Sequence, residues 1–263
     1  LITPQQYVEG FSGTFNYVWN SPARNYFNPI EMSYQAPFVD AAASVDPVNR
    51  GNMFISYYSY GSVLGLALDL SLRENGLNLD DFMKLVWKTY GKTQIPYTVP
   101  MLHESLNQYA GEPFGEEFFN NYIYKSHMPD YQSLLKSVGV TLKQNTNEPY
   151  LGVVVSLDGD GNGEIKSNPK MGSAAYEAEL DDGDVITVIN ENPFPSSIQF
   201  DTYLKQFKVA DTLKIDFERF GQKKNTNVVL KSNPSYIFSL LENEGGKPSQ
   251  EILKNRKSWL SPE

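Results

Sequence analysis

Apolar residues recur at helical spacing through the first half of the chain. Behind Thr3 as N-cap and Pro4 at the first helical position, Tyr7, Phe11, Phe15 and Val18 fall on one face. SPARNYFNPIEMSYQAPFVD, residues 21–40, is broken by prolines and reads as an irregular connection. From about Asn52 to Glu74 the pattern predicts a helix with little polar content past Gly61, and therefore a central one. LNLDDFMKLVWKTYG predicts another, with Asn78 as N-cap and Gly91 as C-cap. YTVPMLHESLNQYAG, FGEEFFNNYIYKSH and DYQSLLKSVGV complete an orthogonal helical bundle over residues 1–143.

Near Gln144 the period changes. QNTNEP is a polar linker, and beyond it YLGVVVSL, GEIKS, DVITVIN, TLKIDFERF and NTNVVLKS read as strands bounded by turn residues. Two short helices, GSAAYEAEL and SSIQFDTYLKQF, sit among them. The fold class is multi-domain: an α-helical bundle, then an α+β and mostly β unit over 147–234, then a tail over 235–263 that ends in the helix PSQEILKNRKSWL.

Composition narrows the function. The 263 residues are 40% hydrophobic and 13% aromatic, enough to bury a core in each unit. Net charge is -9 and no basic stripe is present, which argues against a nucleic-acid backbone as partner. The longest apolar run is too short to span a bilayer. With no cysteine, disulfides and thiolate metal sites are excluded. The chain opens on Leu1 rather than Met, which predicts a processed form or a fragment with functional parts upstream.

GSAAYEAELDDGDVITVINENPF carries a local signature: small residues open a short helix, a turn follows at Asp182–Gly183–Asp184, and an apolar strand follows that. The run resembles the signature of permuted PDZ domains attached to bacterial proteases. The resemblance implies a groove helix at 197–207 and a carboxylate-binding loop at Tyr150, Leu151, Gly152 and Val153. In such a loop, successive backbone N–H groups cradle a peptide C-terminus while the peptide adds as a strand. The competing reading keeps the fold but uses it only as a scaffold or a shield.

Candidate metal and acid–base residues are sparse. In LDGDGNGEIKSNP, Asp158, Asp160 and Asn162 fall at positions 1, 3 and 5 of a calcium loop, but position 12 is Pro169 instead of a glutamate. With strands on both flanks, the stretch reads as a glycine-rich hairpin loop that would hold calcium only adventitiously. The two histidines, His103 and His127, lie in different helices without zinc-ligand spacing. His103 reads as a helix-surface residue, and His127 as a helix end where a cation suits the dipole. No G-x-S-x-G elbow occurs.

LITPQQYVE, NSPARN, SYYSYGSVLGLALDLSLRENG, LNLDDFMKLVWKTYG, the PDZ-like run and KPSQEILKNRKSWL follow one another in an order that resembles the C-terminal half of the glycyl aminopeptidase family. Members of that family are gluzincin-type zinc metallopeptidases with a thermolysin-like catalytic domain and an attached PDZ domain. The resemblance implies zinc in the full-length protein, its His-Glu-x-x-His helix and glutamate ligand lying upstream of Leu1 in the other half of the catalytic domain. It also implies removal of N-terminal residues, glycine or alanine favoured, from a peptide or protein substrate.

The same resemblance bears on SYYSYG, residues 56–61. In the wider clan a tyrosine three residues before a glycine starts the corresponding helix, and its phenol hydrogen-bonds the oxyanion of the tetrahedral intermediate. Tyr58 stands three residues before Gly61. A tyrosine phenol with a pKa of ~10 stays protonated at neutral pH and can donate to developing negative charge. The family usually has lysine directly before the glycine, where this chain has Tyr60, so Tyr57 stays open as the alternative. A third reading has all three tyrosines lining the bundle.

Two other functional classes compete with the aminopeptidase: a non-catalytic PDZ module that binds peptides on a helical platform, and a degenerate peptidase that has lost its upstream ligands. The PDZ-protease resemblance favours a bacterial cell envelope or periplasm, with the cytoplasm as alternative.

Overall fold

The computed structural model describes residues 3–39 and 48–260. Helix α1 (Pro4–Trp19) starts in a capping box, in which the Thr3 hydroxyl accepts from Gln6 N–H and the Gln6 side chain accepts from Thr3 N–H. Residues 29–39 were expected to be irregular and instead form α2 (Pro29–Val39). The reason is local. The Asn28 carboxamide accepts from Ile30 and Glu31 N–H, Glu31 reaches back to Asn28 N–H, and Pro29 occupies a first-turn position that needs no donor. Pro37 lies inside this helix, where it removes one backbone bond.

The helix expected from Asn52 to Glu74 is interrupted. A single turn, α3 (Arg50–Met53), is followed by extended backbone at Phe54 and then by α4 (Tyr57–Glu74). Helix α5 (Leu79–Val86) is capped by Asn78, as the sequence predicts. Its end differs: a π-turn carries the chain through Trp87–Gly91, with Lys92 rather than Gly91 as the cap. A side chain at Gly91 would stand 2.8 Å from the Trp87 ring, so glycine there answers packing rather than capping. Helices α6 (Val99–Ala110), α7 (Glu112–Phe118) and α8 (Tyr131–Ser137) follow.

After α8 come β1 (Val140–Gln144), β2 (Pro149–Tyr150), β3 (Val155–Leu157), β4 (Gly163–Ile165), α9 (Ala174–Glu177), β5 (Val185–Ile189) and β6 (Asn192–Pro193). Then α10 (Phe200–Leu204), β7 (Thr212–Arg219), β8 (Gln222–Val229), β9 (Lys231–Ser232), β10 (Tyr236–Leu240) and α11 (Gln250–Leu260) complete the chain. The main sheet runs β3-β4-β5-β7-β8, all antiparallel, with β6 paired to β5.

Residues 236–240 return to the first domain. Strand β10 pairs antiparallel with β1, and Phe238 is buried in the core formed by α1, α4 and α8. The outer edge of β10 is closed by side chains of α1. Asn16 donates to the Tyr236 carbonyl and accepts from its N–H, each at 2.7 Å, and Ser12 accepts from Phe238 N–H. This stops β10 from presenting a free edge. Arg256 of α11 locks the corner, donating to the carbonyls of Val138 and Gly139 and to both oxygens of Glu242.

Three hydrophobic clusters result. One fills the bundle around α4. A second joins the far end of α4 to α5, α6 and α7. A third lies beneath the main sheet and includes Leu151, Ile165, Ala175, Ile186, Leu213 and Phe217. Among the described residues no helix is long and apolar enough to cross a membrane.

Candidate functional site

The sequence crowds three tyrosines into four positions at the start of α4, and the helix separates them. Successive residues turn about 100° around a helix, so Tyr57 and Tyr60, three apart, border one face while Tyr58 turns away from it. Tyr60 is 1% exposed, Tyr57 is 37% exposed and Tyr58 is 73% exposed. Tyr60 belongs to the buried face with Val63, Leu64, Ala67 and Leu70. Its hydroxyl has no hydrogen-bond partner among the described residues, and burial pushes its pKa up to about 12 against the opposing pull of Arg24. That environment suits packing. Tyr57 lines an apolar groove of about 280 Å³ with Pro29, Tyr60, Leu64 and Phe118.

Tyr58 is the second residue of an 18-residue helix, and its ring stacks obliquely on Tyr57 with centroids 4.3 Å apart. Ser56, the N-cap, makes no side-chain cap bond, and its own N–H donates to the Tyr17 hydroxyl. The α4 N-terminus therefore carries an exposed phenol on its first turn. Such a terminus favours negative charge. The chemistry available here is donation to an anion.

The metal that the aminopeptidase resemblance implies finds no ligand set in these residues. Among those described, no three His, Asp or Glu side chains cluster closely enough to hold an ion. His103 is not on the helix surface as expected. It stacks on Phe119 with centroids 4.4 Å apart, and its Nε2 lies 3.3 Å from Glu116 Oε1. The reason is the π-turn Phe119–Ile123, which continues α7 and brings Phe119 against α6. The Asp158 carboxylate is occupied by its own loop, accepting from Asp160 N–H, Asn162 N–H and the Asn162 carboxamide. These bonds hold its pKa below the usual carboxylate range and make the loop an Asx turn. Asp160 is not drawn in with it as a ligand pair.

In the second domain, Tyr150 ends β2, and Leu151, Gly152 and Val153 lead from it toward β3. Leu151 is buried in the core, and its carbonyl accepts from Ala175 N–H. Gly152 has φ of +95°, and a Cβ there would stand 2.3 Å from the Ser173 Cβ. The amides of Gly152 and Val153 have no acceptor among the described residues. Strand β3 pairs only with β4 among those residues and leaves its other edge open. Tyr150 is half-buried, and burial, then the charge of Asp201, pushes its phenol up.

Two features escaped the sequence. Asp184, read only as a turn residue, is buried and holds Arg219 through both carboxylate oxygens at 2.7 and 2.6 Å. The two domains also meet next to α4: Met171 N–H donates to the Asn52 side chain, 2.9 Å away. Neither has a short-range signal, because the partners are 35 and 119 residues apart.

The sequence matches no protein-family model, and no curated protein matches it. Among solved structures, an aminopeptidase N family protein from Idiomarina loihiensis superposes on 99% of this chain with a TM-score of 0.81 at 22% identity. The chain spans 45% of the length of that protein. At this identity the likeness defines the fold: helical and sheet units in the arrangement of part of an aminopeptidase N family protein. An HtrA-type protease solved with a decapeptide overlaps 34% of this chain, and 30% of its own, at 20% identity and a TM-score of 0.29. That overlap is too slight to carry an argument.

Proposed function

We propose that this chain is part of a metallo-aminopeptidase, with Tyr58 as a hydrogen-bond donor to the oxyanion formed when the scissile peptide bond is attacked. The observation that carries the reading is the fold shared along 99% of the chain with an aminopeptidase N family protein. The exposed phenol in the first turn of α4 supports it. On this reading the zinc and its ligands belong to the rest of the protein, since the residues here do not fit them. Tyr58 contributes a neutral donor at a helix N-terminus, an arrangement that favours negative charge in the transition state over the neutral carbonyl of the substrate. The substrate class is peptides with an N-terminal glycine or alanine, as the glycyl aminopeptidase resemblance implies.

The test is hydrolysis of glycyl, alanyl and leucyl anilides by the intact protein with and without a chelator. Turnover of the glycyl and alanyl compounds above the leucyl one, abolished by chelation and restored by zinc, is the expected result. Absence of turnover with zinc present would sink the peptidase reading.

A second reading is favoured by a separate observation. The open edge of β3 and the unengaged amides of Gly152 and Val153 suit an extended peptide ending in a free carboxylate. The PDZ-like domain would then bind peptides whether or not the protein cleaves them. Titration with a hexapeptide and its C-terminal amide tests this, and equal binding of the two would remove Gly152 and Val153 from carboxylate recognition.

A further inference from the structure

A cleft of about 430 Å³ lies between α1 and the PDZ-like domain, within the size range of small-ligand sites. Its walls are mixed: Met171, Pro234 and tyrosine rings supply apolar surface, and Asn20, Ser173 and two lysines supply polar groups. The lysines differ. Lys231 is engaged, its ammonium donating to the Gly172 carbonyl at 2.7 Å and pairing with Glu177. Lys170 is half-buried, and its ammonium has no carboxylate or carbonyl partner among the described residues. Burial alone pulls its pKa below the usual lysine range. A partly desolvated ammonium without a counter-charge is costly, and an anion in the cleft would relieve that cost. The chain carries 31 acidic residues against 22 basic ones, yet no described carboxylate pairs with this cation.

The cleft also borders the start of α4. Tyr17 lines it, and the Tyr17 hydroxyl accepts from Ser56 N–H, one residue before Tyr57. Met171, next to Lys170, donates its backbone N–H to Asn52, shortly before α4.

We infer that the cleft between α1 and the PDZ-like domain holds the free C-terminal carboxylate of a short peptide on Lys170, beside the start of α4. This rests on the peptidase reading and deepens it: Lys170 selects short peptides with a free carboxylate. The site borders the Gly152–Val153 loop, since Tyr150 and Ser173 line the cleft, and differs from those amides in depending on a side-chain cation.

The test is calorimetric titration of the intact protein with trialanine, trialanine amide and inorganic phosphate, repeated for Lys170→Met and Lys170→Arg. Lys170→Met keeps the length and apolar stem, and its unfolding midpoint is checked alongside. The expected result is saturable binding of the free acid, weakened about tenfold or more by amidation or by Lys170→Met, and nearly retained in Lys170→Arg. The two losses are not additive, since both remove the same ion pair. Free-acid preference that survives Lys170→Met would assign the carboxylate to the PDZ-like loop and overturn the inference. So would an absence of binding, or phosphate binding tighter than the peptide. If Tyr58→Phe leaves turnover unchanged while the Lys170 results hold, the catalytic reading fails and the binding site stands.

Discussion

Tyr57 and Tyr58 lie with ring centroids 4.3 Å apart, yet one lines an apolar groove and the other is 73% exposed. Adjacent positions on a helix point about 100° apart, so the contact places one ring as a support for the other. Tyr57→Phe retains that ring. It is expected to leave turnover within about threefold of the wild type in steady-state kinetics, whereas Tyr57→Ala removes the support and lowers kcat through the position of Tyr58. A large loss in Tyr57→Phe would transfer the donor role to Tyr57.

Tyr60 and Tyr131 are both buried phenols, with opposite hydrogen-bonding. The Tyr131 hydroxyl donates to the Val63 carbonyl at 2.8 Å, and the Tyr60 hydroxyl has no partner among the described residues. Tyr60→Phe is therefore expected to be neutral or stabilising, and Tyr131→Phe to cost about 1 kcal/mol in urea unfolding. The same pair contributes to alkaline stability. Burial raises both phenols, Tyr60 to about 12 and Tyr131 well above its ordinary value. In the unfolded chain they ionise near pH ~10. Their contribution is complete below that value and is lost as pH rises from there through the folded-state pKa. Tyr60→Phe should flatten the fall in unfolding free energy above pH ~10, and an unchanged slope would show that Tyr60 does not contribute to it.

Arg219 covers a carboxylate that is otherwise buried, as Asp184 is 1% exposed. Arg219→Leu leaves that charge without its partner and is expected to cost about 3 kcal/mol, measured by thermal or urea unfolding. Adding Asp184→Asn should recover part of the loss. Equal stability of the single and double variants would contradict the pairing as its cause.

Gly152 combines a φ of +95° with no room for a methyl group beside Ser173. Gly152→Ala should lower stability by about 2 kcal/mol or more, with the loss confined to the second domain in hydrogen exchange. Uniform loss of protection would place the strain elsewhere.

What the sequence conveyed follows the range of each interaction. The α1 capping box, the Asn78 cap and strands β4, β5, β7 and β8 depend on neighbours a few residues away, and their spacing was readable. The β1–β10 ribbon was missed because VTLKQ and YIFSL are short and pair across roughly a hundred residues, as Val140 opposes Leu240. Helix α2 was missed because three prolines in residues 21–40 outweighed the Asn28–Glu31 capping box. At the candidate site the tyrosine cluster was visible, and helical periodicity already puts Tyr60 on the face of Val63, Leu64 and Ala67. Lys170 carried no signal at all, since its role depends on how two domains meet.

The measurement that bears most directly on the account is kcat for Tyr58→Phe in the intact protein, on a glycyl or alanyl anilide. The substitution removes one hydroxyl and keeps the ring on Tyr57. The account predicts a fall in kcat of ~10²-fold or more with little change in KM, the mark of a donor used only in the transition state. An unchanged kcat would contradict it and remove Tyr58 from the mechanism.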